Sequence, residues 1–180
     1  MNFTKENDEV YRTYGTLAKV TGDDVVFLKA QAAKNKRRRV RLCAHPGNAD
    51  LLHEMLIIHV QNTYVAPHKH VNKSESFHII EGALSVFLFD DDGRVIETIR
   101  MGEVTSSRVF YYRLSSSIYH SVLPESEFVV FHEVTNGPFD RRDMVIAPWA
   151  PVEDDETAQV QFAQFLLNNV KGDKNDRSIE

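Results

Sequence analysis

The stretch PHKHVNKSESFHIIEG, residues 67–82, decides how the rest of the chain is read. Side chains two positions apart on a strand face the same way. His68 and His70 therefore project together, roughly 6–7 Å apart along the backbone. Residues 71–74 allow a turn, and Glu75 begins a second strand, ESFHIIE. A cross-strand neighbour comes within roughly 5 Å, so the Glu75 carboxylate can join the two imidazoles around one ion. Gly82 closes that strand just before the next apolar run.

Outward from this stretch, residues 54–136 read as a series of short strands. EMLIIHVQ, TYVAPHKH, ALSVFLFD, RVIETIRM, RVFYYRL and EFVVFHEVT are rich in β-branched and aromatic residues, with polar or Gly/Pro-containing connections between them. Asp92-Gly93 is a hairpin signal. This spacing predicts an antiparallel jelly-roll barrel and not alternating βαβ units. Before it, Asp23 or Asp24 can cap a helix through VVFLKAQAAKNK, whose basic end suits the helix C-terminus. Residues 40–44 read as a short strand, and residues 137–151, with three prolines, as an ordered wrap. A second, amphipathic helix is expected over 155–170, with Val160, Ala163, Leu166, Leu167 and Val170 on one side. The last ten residues are polar, and a frayed tail is expected there. The domain reading is an N-terminal extension with one helix (1–38), a barrel (39–151), and a C-terminal helix and tail (152–180).

The 180 residues suit one domain. A net charge of -5 lacks the basic balance of a nucleic-acid-binding domain. Cys43 is the only cysteine, so no intrachain disulfide is possible, and a reducing compartment is favoured. The N-terminus carries no apolar signal segment and no apolar run reaches bilayer length, so a cytoplasmic protein is expected.

The pattern H-x-H-x4-E-x6-G resembles the first motif of the cupin superfamily. The second motif of that superfamily, P-x-G-x-x-H, ends on a histidine that serves as fourth ligand. Here Ser115-Ser116-Ser117-Ile118-Tyr119-His120 takes its place, with both Pro and Gly replaced by Ser, and Asn62 stands where a Gly precedes the first His. The resemblance implies a metal centre of His68, His70, Glu75 and His120. A narrower resemblance covers residues 39–151. RLCAHPG, LLHEMLI, PHKHVNKSESFHIIEG, YYRL, HSVLP, VVFHEVTNGPF and APWAP are similar to words of the WbuC family of cupin-fold metalloproteins. It implies a metal-binding protein associated with bacterial surface-polysaccharide genes.

Three imidazoles and a carboxylate leave coordination positions open, as a catalytic metal requires, and suit Fe, Mn, Ni, Zn or Co. Around that centre the sequence offers wall residues of unequal promise. Tyr64 shares the strand parity of His68 and His70. Glu54 lies on the apolar face of Leu56, Ile58 and Val60, where a carboxylate needs a partner such as Arg113 or a solvated cavity. These two are the candidate catalytic residues. Lys73, Arg113 and His132 are candidate substrate contacts, although a loop lysine is more often simply solvated. His132 and Glu133 point to opposite faces, so only one of them can see the interior. His78 reads as outward, and His45, His53 and His59 as turn or surface residues. The basic run Lys34–Arg41 reads chiefly as a helix end, the alternative being contact with the phosphate of a nucleotide sugar; Asp90–Asp92 reads as a turn, and Cys43 as structural.

The function expected from these readings is a metal-dependent enzyme on a small polar substrate, a sugar or sugar nucleotide, with isomerase or epimerase chemistry. The alternatives are a non-catalytic metal-dependent binder and an Fe(II) dioxygenase. A homodimer is expected from the exposed strand edges.

Overall fold

The computed structural model describes residues 2–176. In chain order its strands are β1 (Phe3–Lys5), β2 (Val10–Thr13), β3 (Arg39–Cys43), β4 (Leu52–Val60), β5 (His68–His70), β6 (Glu75–Glu81), β7 (Ala83–Phe89), β8 (Val95–Gly102), β9 (Tyr111–Leu114), β10 (Tyr119–Pro124), β11 (Phe128–Asn136) and β12 (Met144–Ile146). Helix α1 (Gly22–Lys34) lies between β2 and β3, and α2 (Glu156–Asp176) follows β12.

The strands form two sheets, ordered β1-β2-β3-β4-β11-β6-β9 and β12-β5-β10-β7-β8. The eight consecutive strands β4 to β11 divide between them as 4-11-6-9 and 5-10-7-8. Apart from the β7–β8 hairpin, successive strands of this set change sheet, which is the two-Greek-key order of a jelly roll. The mainly β jelly roll with flanking helices is thus as the sequence predicts. Two details differ. The sheets share no backbone ladder among the described residues, so the body is a sandwich and not a closed barrel. One pair, β2 with β3, is parallel, because α1 supplies the crossover that a parallel pair needs.

Strand alternation sorts side chains into two apolar faces per sheet. Met55, Ile57, Phe77, Leu84, Val86, Val122 and Phe131 fill the space between the sheets. Leu42, Ile58, Val60 and Val130 face outward beneath Leu28 and Ala32 of α1. Phe87, Phe89, Tyr119 and Leu123 face outward from the second sheet beneath Leu166 and Val170 of α2. The molecule is therefore four layers: α1, sheet, sheet, α2.

Helix α1 is capped two to three residues earlier than a cap at Asp23 or Asp24 would place it. Thr21 is the N-cap, and its hydroxyl and the Asp24 side chain form a reciprocal capping box. In α2 the buried side is Leu166 and Val170, with Phe162 and Ala163 beside them. Val160 and Leu167, expected on that side, are 69% and 37% exposed. The polar tail expected from residue 171 is helical to Asp176, and residues 177–180 lie outside the described part. The Asp90–Asp92 turn forms as expected, with Asp90 accepting from the backbone of Asp92 and Arg94, and Gly93 adopts φ 87°. Within the part read as an extension, residues 3–13 add β1 and β2 to the first sheet.

Candidate metal centre

His68 and His70 lie on β5, and the ladder sets His120 of β10 directly opposite His68. Lys69, between the two histidines, points the other way and sits over the Tyr119 ring on the outer face. The parity argument from the sequence therefore holds at this strand. One donor atom from each of His68, His70 and His120 lies within 4.8 Å of the other two. Glu75, the first residue of β6 in the opposite sheet, reaches into the same space. Its Oε2 is 3.5 Å from His70 Nε2, and its Oε1 is 3.1 Å from His120 Nε2.

Three features fit these residues to a metal ion. First, His68 Nδ1 donates to the Ala66 carbonyl and His120 Nδ1 to the Ile118 carbonyl, 2.9 and 3.0 Å away. Each bond fixes the tautomer that leaves the Nε2 lone pair free, the usual support of a metal-binding imidazole. Second, His120 Nε2 is buried without a hydrogen-bond partner of acceptable angle, despite its closeness to Glu75. Third, the Tyr112 hydroxyl donates to Glu75 Oε1 at 2.7 Å and so orients the carboxylate.

The local electrostatics agree. Burial and the neighbouring His120 and His70 push the His68 pKa down to about 3, so its imidazole is neutral. Burial acts to raise the Glu75 pKa, but His120, His70 and Tyr112 outweigh it and hold the group well below the usual carboxylate range.

The other candidate residues lie elsewhere. Tyr64 precedes β5 in a non-strand segment, so strand parity does not apply to it. Its hydroxyl donates to the Pro151 carbonyl, its ring packs edge-on to Phe162, and burial pushes its pKa up to about 12. Glu54 does share the face of Leu56, Ile58 and Val60, but that face is the outer one beside α1. There Glu54 stands 3.9 Å from His132, and both line a cleft of about 740 Å³ between α1 and the sheet. Arg113, also outward, is exposed and bonds the Ser74 hydroxyl, not Glu54. Lys73 donates to the Pro138 carbonyl and pairs with Asp143, which ties down the 137–143 segment.

Glu133, neighbour of His132, is the residue that faces the interior. It is cross-strand to Phe77 on one side and Met55 on the other, both members of the inner core. It is only partly buried by surface area, yet burial is the main reason its pKa rises to about 8, with Glu75 second. The alternation of β11 named this residue as one of two choices; which side α1 covers was the missing information.

His45, His53 and His59 are also corrections, since each is 5% exposed. His45 and His53 stack at 4.0 Å between ring centroids. His59 packs edge-on to Phe131, and burial lowers its pKa to about 3. His78 is exposed as expected, and Cys43 is buried, with its thiol pKa pushed up by that burial.

A family model described as a domain of unknown function, DUF6016, matches residues 20–101. No curated protein matches the chain. Among solved structures, protein SO0799 from Shewanella oneidensis is 10% identical, with a TM-score of 0.47 over 57% of this chain and 66% of that one. Oxalate decarboxylase from Bacillus subtilis is 20% identical, with a TM-score of 0.42 over 54% of this chain and 24% of that one. The Schizosaccharomyces pombe Cnp3 cupin domain is 13% identical, with a TM-score of 0.43 over 55% of this chain and 64% of that one. The chain spans less than two thirds of each of these proteins, and about a quarter of the decarboxylase. No helix among the described residues is long and apolar enough to cross a membrane.

Proposed function

We propose that the protein is a metal-binding cupin, with one divalent transition ion held by His68, His70, His120 and Glu75, and that it acts on a small polar molecule. The observation that carries this reading is the pair of backbone-tethered imidazoles, His68 and His120, whose free Nε2 atoms converge with His70 in a buried space. An ion bound there supplies Lewis-acid polarisation of a carbonyl or of adjacent hydroxyls. The chain's own residues do the rest. Tyr112 holds Glu75 in place, the backbone carbonyls hold the imidazoles, and Phe77, Leu114 and Ile118 keep the surroundings apolar.

The resemblance to the WbuC family supports a sugar or sugar nucleotide as substrate and isomerisation or epimerisation as the reaction. A second reading, a non-catalytic binder, is favoured by the positions of Tyr64 and Glu54, since neither can move a proton at the centre. Elemental analysis of the purified protein tests the metal. His70→Ala should lower the metal content from about one ion per chain to near zero while the far-UV circular dichroism is unchanged. Protein that takes up no divalent ion would sink the proposal. Deuterium exchange into a panel of sugar nucleotides then separates the two readings: solvent label in a substrate position supports the enzyme, and unlabelled substrates support the binder.

A further inference from the structure

The inner face of the first sheet carries a charged residue, Arg41, whose side chain makes no hydrogen bond or ion pair among the described residues. On β3, Cys43 faces the space between the sheets, and Arg41, two residues earlier, shares that face. The ladder places Arg41 opposite Ile57, and Ile57 opposite Phe131, so Arg41 and Glu133 stand on one face two strands apart. That is about 10 Å between strand axes and about 7 Å along them, since Glu133 is level with Cys43, within joint reach of an extended ligand lying between them.

The three arginines before Arg41 in the basic run are all engaged. Arg37 and Arg39 pair with Glu9, Arg38 bonds the Gln61 carbonyl, and Arg12, on the adjacent strand, bonds Glu6 and the His45 carbonyl. Arg41 is exposed, and among the described residues its guanidinium makes no hydrogen bond or ion pair. Glu133, half-buried on the same face, likewise has no hydrogen bond or ion pair among the described residues. Glu75, the carboxylate of the metal centre, is diagonal to Glu133 on the same face, because Thr135 pairs with Glu75 and Glu133 with Phe77.

We propose that Arg41 and Glu133 form the ligand-binding end of the metal centre, and that the ligand is a hydroxylated organic anion. Its hydroxyl groups lie against Glu133, and its carboxylate or phosphate is held by Arg41 at the open side of the sandwich. A guanidinium fork suits either oxyanion, and a carboxyl group accepts hydroxyl protons. This rests on the metal-centre reading and names the substrate class for it. It also gives Arg41 a role distinct from the helix-end role of the residues before it.

The test uses the full-length protein loaded with the divalent ion it binds best, and calorimetric titration with glucose, gluconate and glucose 6-phosphate. At least one of the two anions should bind ten-fold or more tightly than glucose. The two anions between them tell a carboxylate site from a phosphate site. Arg41→Gln should remove that preference and leave metal content and melting temperature unchanged, since the side chain is exposed. Glu133→Ala should weaken all three ligands while keeping the preference for the anion. Glucose binding as tightly as both anions, a preference that survives in Arg41→Gln, or no binding of any probe would overturn the proposal. So would loss of the metal from Glu133→Ala, which would make Glu133 part of the ion's own shell. Protein that takes up no ion fails at the metal centre itself; metal uptake without anion preference fails only here.

Discussion

At the scale of single residues, the histidines divide by what their second nitrogen does. His68 and His120 each give one nitrogen to a backbone carbonyl and keep the other for the centre. His59 keeps Nδ1 buried with no hydrogen-bond partner beside Phe131. Its cost appears in acid. The folded-state pKa is about 3 against an ordinary 6.5, so the unfolded chain takes up the proton first. Stability from this residue is full above pH 6.5 and is lost as pH falls toward 3, by up to about 1.4 kcal/mol per pH unit. Urea denaturation between pH 7 and 4 should show that contribution on top of the equal one from His68, and His59→Leu should reduce the slope by its own share. An equal slope in the variant would mean that His59 is charged in the folded protein. Tyr112 sits one step outside the centre. Tyr112→Phe keeps the ring and deletes the bond to Glu75, so the affinity for the divalent ion should fall about 10-fold, measured by competition with a chelator. The role of Tyr112 was not legible in the sequence, where it is one aromatic in an apolar strand; only the pairing of β6 with β9 brings it beside Glu75.

At the scale of elements, periodicity located the strands and left their facing undecided. The β4 sequence has apolar residues on both sides because α1 covers one side and the second sheet the other. Glu54 was therefore assigned to the right face of the strand, but that face lies outside the sandwich. The same ambiguity hid Glu133 behind His132. His120 was legible for the opposite reason. Its local motif has lost Pro and Gly, yet the β5–β10 ladder sets it opposite His68, and the order of ligands along the chain survives. Short strands were harder. β1 and β12 have three residues each, too few for alternation to register. Helix α1 matters because it closes the outer face of the first sheet. Its capping box satisfies backbone donors at the N-terminus, so Thr21→Ala should cost about 1 kcal/mol. Thermal melts should show a fall of about 2–4 °C. Leu28, fully buried against Val40 and Ile58, anchors the helix. Leu28→Ala should cost about 2–5 kcal/mol.

At the scale of the whole molecule, the ligand set draws on both sheets. His68, His70 and His120 come from one sheet and Glu75 from the other, and among the described residues no backbone ladder joins the two. Hydrophobic packing and connecting loops hold them together, and an ion bound by all four residues adds a direct bridge. An ion that binds only the folded arrangement stabilises it by mass action, about 2.7 kcal/mol when free metal is 100 times its dissociation constant. For a chain of this length that is a rise of roughly 5–10 °C in melting temperature. The rise should be absent in His120→Ala, which removes the ligand facing both His68 and Glu75. It should shrink as pH falls, because protons compete for the same imidazole and carboxylate atoms. A chelator should reverse it. If His120→Ala shows the same metal-dependent rise as the unaltered protein, the stabilising ion sits elsewhere on the surface. The two sheets would then be held by their apolar faces alone.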